Sequence, residues 1–266
     1  LYSEKRWREN CQRFVGAFKK HFSDFQPLFA VKANPNPELV RMTIEEGFGC
    51  DCSSESEVWL ANKLGAVGMH TGNYTTASEL EYVISSSKLI LNLDDESMIP
   101  TVARFGMPET ISFRINPGIT QGGMASLFLA GSDAKYGIPF EKAGEAYVRA
   151  RNAGAKHFGI HMMTGSNILD ENYFYIITKK ILEIIRIIKK ETGIIIEFMN
   201  IGGGFGVPYR PDEGSLNIQK VADVARNAYK EMCADGYIKP PRLMAEPWRY
   251  ISADAGWLVG RVAVIK

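Results

Sequence analysis

A lysine closes the first apolar run of this chain, Phe29-Ala30-Val31-Lys32-Ala33-Asn34. Burying an ammonium is costly, so such a position pushes the amine toward its neutral form, which attacks carbonyl carbons. A solvated lysine at the mouth of a strand is the plainer reading. In the next run, Gly49-Cys50-Asp51-Cys52-Ser53, Asp51 could orient or balance that amine, or cap the following helix as Ser53 and Ser54 could. Phe113-Arg114-Ile115-Asn116-Pro117-Gly118 sets a guanidinium among apolar neighbours, where it wants an anion, either a ligand or a structural carboxylate.

Further on, Gly159-Ile160-His161-Met162-Met163-Thr164-Gly165-Ser166 ends a run with a histidine, and strand parity puts His161 and Met163 on one face. His161 is a candidate catalyst and equally a satisfied interior residue. Ser166 leads the chain into a loop. Gly202, Gly203 and Gly204 follow Ile201, leaving backbone N–H groups unobstructed: an anion cradle or a plain flexible turn. They lack the Lys-Ser/Thr ending of a P-loop and lie far from where a dinucleotide fold would begin. Finally, Ala245-Glu246-Pro247-Trp248-Arg249-Tyr250 offers a carboxylate for a protonated ring nitrogen, or an interior ion pair, and an arginine that could reach a phosphate. A nucleophilic lysine, a carboxylate, a glycine cradle and arginines are what a phosphorylated aldehyde cofactor needs.

The elements that must carry these residues alternate. Short apolar runs at 28–32, 49–53, 67–71, 89–93, 111–115, 157–162, 195–201 and 243–246 read as strands. Amphipathic stretches at 37–46, 55–63, 76–86, 96–104, 141–153, 171–191 and 218–234 read as helices. In the longest, Ile181, Ile184, Ile185 and Ile188 form one stripe, with Lys179, Lys180, Lys189 and Lys190 elsewhere. Alternating strands and helices imply parallel pairing through right-handed crossovers. Eight strands predict an α/β fold of the TIM-like (β/α)8 type, with an open doubly wound sheet as the alternative. Every candidate residue then falls at a C-terminal strand end, where such barrels keep their chemistry, and the glycine run follows the seventh strand, a common phosphate site.

Composition narrows the classes. With 31 Lys and Arg against 30 Asp and Glu, the net charge of +1 gives no basic footprint for nucleic acid. No apolar run is long enough for a membrane span, and the start lacks a signal-peptide h-region. Cys11, Cys50, Cys52 and Cys233 have neither zinc nor disulfide spacing and read as reduced thiols of a cytoplasmic protein. The first residue is not Met, which reads as a processed or partial chain.

Ala30-Val31-Lys32-Ala33-Asn34, the Gly202–Gly206 run and Glu246-Pro247-Trp248-Arg249-Tyr250 together resemble the alanine-racemase-like fold group of pyridoxal-phosphate enzymes. Arg114-Ile115-Asn116-Pro117-Gly118 and Lys135-Tyr136-Gly137-Ile138 bring the resemblance closest to the diaminopimelate decarboxylase family, over essentially the whole chain. The resemblance implies pyridoxal 5'-phosphate held as a Schiff base on Lys32, with Asp51 and Arg114 near its reacting end. It implies that His161 and Met163 line the cofactor, that Ser166, Gly202, Gly203, Gly204 and Arg249 bind its phosphate, and that Glu246 pairs with the ring nitrogen. The implied reaction is decarboxylation of meso-2,6-diaminopimelate to L-lysine and carbon dioxide by a homodimer. A barrel that holds the cofactor without turnover, and a decarboxylase for ornithine, arginine or lysine, are the alternatives. Met163 stands where the family has a histidine, and Trp248 where it has a glycine, so Trp248 is expected to crowd a backbone N–H near the phosphate. Residues 1–250 are expected to form the barrel, and 251–266 a strand opening a C-terminal β-domain. The rest of that domain, and a strand preceding the barrel, are expected to lie outside these residues.

Overall fold

The computed structural model describes residues 1–86, 88–119, 121–122 and 134–265. Eight parallel strands form its centre: β1 (Gln26–Ala30), β2 (Gly49–Cys52), β3 (Gly68–His70), β4 (Ile90–Leu93), β5 (Thr110–Asn116), β6 (His157–His161), β7 (Ile196–Asn200) and β8 (Arg242–Ala245). Each pairs with the next in chain order, and β8 pairs with β1 through Gln26↔Met244 and Pro27↔Ala245. The sheet therefore closes into the barrel, and the open-sheet alternative falls. All eight strands lie within two residues of their predicted ends.

Helices α2 (Pro37–Glu45), α3 (Glu55–Lys63), α4 (Ala77–Ser86), α5 (Ile99–Phe105), α6 (Ala143–Asn152), α7 (Glu171–Thr192) and α8 (Ile218–Met232) follow the first seven strands. The eighth strand is followed only by short α9 (Trp248–Ser252). The first helix, α1 (Glu4–Lys19), absent from the sequence-based reading, packs against α2, α8 and α9 and completes the ring. Its buried Trp7, Cys11, Phe14 and Phe18 recur at helical spacing, and each fully buried aromatic contributes roughly 2 kcal/mol. Ser3 caps it by accepting from the Arg6 N–H at 3.3 Å, and the Trp7 indole donates to Thr43 of α2 at 2.8 Å.

Strand alternation sorts the side chains. Outward residues such as Phe29, Cys50, Cys52, Leu91, Phe113, Ile160 and Met199 join the large core beneath the helices. Inward residues Leu28, Met69, Phe198 and Met244, with Ile90 packed against them, form a separate apolar plug inside the barrel. The plug needs Gly159: a Cβ there would lie 1.9 Å from the Phe198 ring.

The predicted C-terminal strand is not present. Tyr250 to Ser252 belong to α9, and Gly256 makes only an isolated antiparallel bridge with Tyr2. Residues 257–265 carry no regular structure, and Trp257, Leu258, Val262 and Ile265 are exposed; Lys266 lies outside the described residues. β-propensity expresses itself through pairing with a neighbour; here, among the described residues, only Trp257 bonds to another segment, exchanging hydrogen bonds with Leu1 at 2.8 and 2.9 Å.

Candidate active site

Beyond the apolar plug, the upper barrel interior turns polar. Asp51, Asn92, Arg114, His161, Asn200 and Glu246 are all buried there. Glu246 lies at the centre of the best-connected group. Its Oε1 accepts from the Asn200 amide at 2.7 Å and sits 3.4 Å from His161 Nε2. Asn200 Oδ1 in turn accepts the Gly202 N–H at 2.9 Å, and the Gly202 carbonyl accepts the Glu246 N–H at 2.9 Å. Burial alone would raise the Glu246 carboxyl. His161, the charge of Lys32 and the Asn200 amide outweigh burial, and its pKa lies below the usual carboxylate value. His161 Nδ1 has no hydrogen-bond partner.

Lys32 corrects one expectation. Strand pairing of β1 ends at Ala30↔Asp51, and Val31–Ala33 forms a 3-10 turn that lifts the lysine above the rim. The side chain is exposed rather than buried, with Nζ 3.4 Å from Ser53 Oγ. Its charge still reaches both Asp51 and Glu246, which places it over the same mouth.

Asp51 is no helix cap: Ser54 precedes α3, and Glu57 takes the Ser53 N–H and the Ser54 hydroxyl, each at 2.9 Å. Asp51 instead accepts a hydrogen bond from the Thr71 hydroxyl. Burial, and then the negative charge of Glu246, push its pKa well above the ordinary aspartate value. Arg114 donates to Asn73 Oδ1 at 3.0 Å, lies 3.7 Å from Asp94 Oδ1 and stacks 5.0 Å from the Tyr136 ring centre. Its anionic partner among the described residues is thus the structural carboxylate Asp94.

On the other side, the glycine turn is held by close approaches. Gly202 has φ +69°, and a Cβ there would meet the Met162 carbonyl oxygen at 2.3 Å. The Gly203 N–H points at Met163 Sδ, 3.3 Å away. Sulfur is a weak acceptor, and an anion at this turn would be a stronger one. Arg249 donates to Ser166 Oγ at 3.3 Å and to the Tyr209 hydroxyl, so a serine, a tyrosine and a guanidinium converge beside the turn. Trp248 does not crowd a free amide: its N–H is already bonded to the Glu246 carbonyl at 3.0 Å, and its ring packs against the outer core.

The predicted residues therefore meet at one mouth as two groups: Lys32, Asp51 and Arg114 on one side, and Met163, Ser166, the glycines and Arg249 on the other, with His161 and Glu246 between. Sequence reasoning missed Asn200, Thr71, Asn73, Asp94, Tyr136 and Tyr209. Two of these carried a signal: Asn200, two residues beyond Phe198 and just before Ile201 and the glycine turn, and Tyr136, inside the Lys135-Tyr136-Gly137-Ile138 motif. The buried His161 Nδ1 without a hydrogen-bond partner, the buried Glu246 carboxylate and the glycine turn beside Arg249 fit a phosphorylated ring cofactor. Among the described residues, no group of three or more His, Cys, Asp or Glu could hold a metal ion, and no helix is long and apolar enough to cross a membrane.

Comparison with known proteins agrees with this chemistry. Residues 8–253 match the family model described as "Pyridoxal-dependent decarboxylase, pyridoxal binding domain". A diaminopimelate decarboxylase from Methanothermobacter thermautotrophicus is 34% identical over 271 residues, covering 100% of this chain and 63% of that protein. Protein TabA from Pseudomonas amygdali pv. tabaci is 34% identical over 267 residues, covering 98% and 61%. The structure of a diaminopimelate decarboxylase from M. jannaschii in complex with L-lysine superposes with a TM-score of 0.83 at 26% identity, covering 96% of this chain and 61% of that one. The chain thus spans somewhat over three fifths of the relatives it matches. Its match runs through every strand of the barrel, and the chain belongs to the pyridoxal-dependent decarboxylases, as their pyridoxal-binding domain.

Proposed function

We propose that this chain binds pyridoxal 5'-phosphate at the barrel mouth and decarboxylates meso-2,6-diaminopimelate to L-lysine and carbon dioxide. The observation that carries the reading is Glu246, a buried carboxylate kept anionic by His161, Asn200 and the field of Lys32. Such a group holds a proton on a pyridine nitrogen. When bound, the cofactor supplies an electron sink for the pair left on Cα as carbon dioxide departs.

The chain's own residues do the rest. Lys32 offers an exposed amine to the aldehyde. Asn200 and His161 fix the carboxylate that faces the ring nitrogen. Ser166, Arg249 and the turn at Gly202, Gly203 and Gly204 receive the phosphate. Asp51 and Arg114 stand at the reacting end, and Met163 presents a polarisable sulfur to the ring. The substrate assignment rests on the diaminopimelate decarboxylases among the relatives and on the neighbour solved with L-lysine. A homodimer in a reducing, cytoplasmic setting belongs to the same reading; the free thiols of all four cysteines are in keeping with that setting.

Carbon dioxide release by the chain loaded with pyridoxal phosphate tests the proposal. Release from meso-diaminopimelate, and its loss in Lys32→Ala, is the expected result. Release only from ornithine, arginine or lysine would reassign the substrate. A bound cofactor without release from any of them would leave a binding module in place of an enzyme.

A further inference from the structure

The loop after β3 reaches both charged residues at the reacting end of the site. It runs His70-Thr71-Gly72-Asn73-Tyr74 before α4 begins. Thr71 donates its hydroxyl to Asp51 of β2. Two residues on, Asn73 Oδ1 accepts from Arg114 of β5 at 3.0 Å. Tyr74 follows, its ring 6.2 Å from that of Tyr136, which covers the Arg114 guanidinium. The loop therefore spans from one strand before β3 to two strands after it, crossing the end of β4.

Its shape is fixed from below. A Cβ on Gly72 would lie 2.4 Å from Thr75 Oγ1 and 2.9 Å from the ring of His70, which is itself buried. A loop packed this tightly onto a buried ring holds Thr71 and Asn73 at set positions.

We propose that Thr71 and Asn73 are positioning residues of the cofactor site, one short loop setting both the carboxylate of Asp51 and the guanidinium of Arg114. The inference rests on the cofactor-binding reading above and adds residues that neither the family resemblance nor the motifs pointed to. Thr71 acts through Asp51, and Asn73 through Arg114. The groups whose charge faces Asp51 are Lys32 beyond β1, Glu57 of α3, Arg114 of β5 and Glu246 beyond β8. The Thr71 hydroxyl favours the charged form of Asp51. Removing it raises the Asp51 carboxyl further, so at a given pH the bound cofactor would meet less negative charge at its reacting end.

The test is a pH titration of the absorbance band formed when the chain binds pyridoxal phosphate, in Thr71→Val, Thr71→Ser and Asn73→Ala. Thr71→Val is expected to move the midpoint to lower pH and Thr71→Ser to restore it, a shift that a merely structural role would not produce. Asn73→Ala is expected to weaken cofactor binding about tenfold, on the scale of a hydrogen bond to a charged group. A wild-type band with all three variants titrating and binding alike overturns this inference alone. No band in the wild-type chain overturns the cofactor reading itself. Should Thr71→Val fail to fold, Asn73→Ala still decides: wild-type affinity there refutes the loop's role.

Discussion

Two layers of one barrel interior differ by a single step along seven of the eight strands. Gly49 gives way to Asp51, Met69 to Thr71, Ile90 to Asn92, Ser112 to Arg114, Gly159 to His161, Phe198 to Asn200, and Met244 to Glu246. Two residues of strand cover about 6.6 Å. Over that rise the interior passes from an apolar plug to a buried polar layer with unpartnered atoms at Asn92 Oδ1 and His161 Nδ1. Each such atom costs about 1–3 kcal/mol. The lower layer serves stability; the upper layer gives some of it up, as expected where a ligand supplies the missing partners.

Substitutions can break that contrast. The largest effect belongs to the plug: Phe198→Ala should cost about 3–5 kcal/mol, read by urea denaturation, while cofactor affinity changes little. A large loss of affinity with little loss of stability would reverse the roles given to the two layers.

Asp51→Asn should act the other way. The folded pKa of Asp51 is raised, so its contribution to stability is fully present below about pH 4 and is lost as pH rises toward the folded value. The variant should therefore exceed wild type by on the order of 2 kcal/mol at pH 9, with the gap closing by pH 4. Equal stability at both pH values would contradict a buried, disfavoured carboxylate. Glu246 has the opposite sign. Its pKa is lowered, so its contribution is present above about pH 4 and lost on acidification.

The smallest effect is expected at Ser112. Its hydroxyl is fully buried and without a partner, so Ser112→Ala should be neutral or stabilising by less than about 1 kcal/mol. A loss above that would mean the hydroxyl has a role in the unliganded chain.

What the sequence disclosed follows the same division. The barrel was legible because each strand buries its outward face under a helix, and that face wrote an apolar run at all eight places. Lys32, Glu246 and the glycine turn were legible because their types are out of keeping with such runs. Helix α1 was missed although Trp7, Cys11, Phe14 and Phe18 have helical spacing, because the alternation was read only from the first strand onward. The run at 257–265 forms no strand because apolar β-branched residues pair as one only when a neighbour supplies hydrogen bonds along it. Thr71, Asn73 and Asn200 stayed hidden for another reason. Neutral side chains on loops and strand ends are common, and only the three-dimensional closure of the barrel brings them to Asp51, Arg114 and Glu246.

The central claim concerns one amine among many lysines. Borohydride reduction of the chain after exposure to pyridoxal phosphate, followed by peptide mapping, locates the amine that condensed with the aldehyde. The account predicts label concentrated on Lys32 and displaced little by competing surface lysines. Label spread over exposed lysines, with Lys32 no more modified than Lys5 or Lys63, would contradict it.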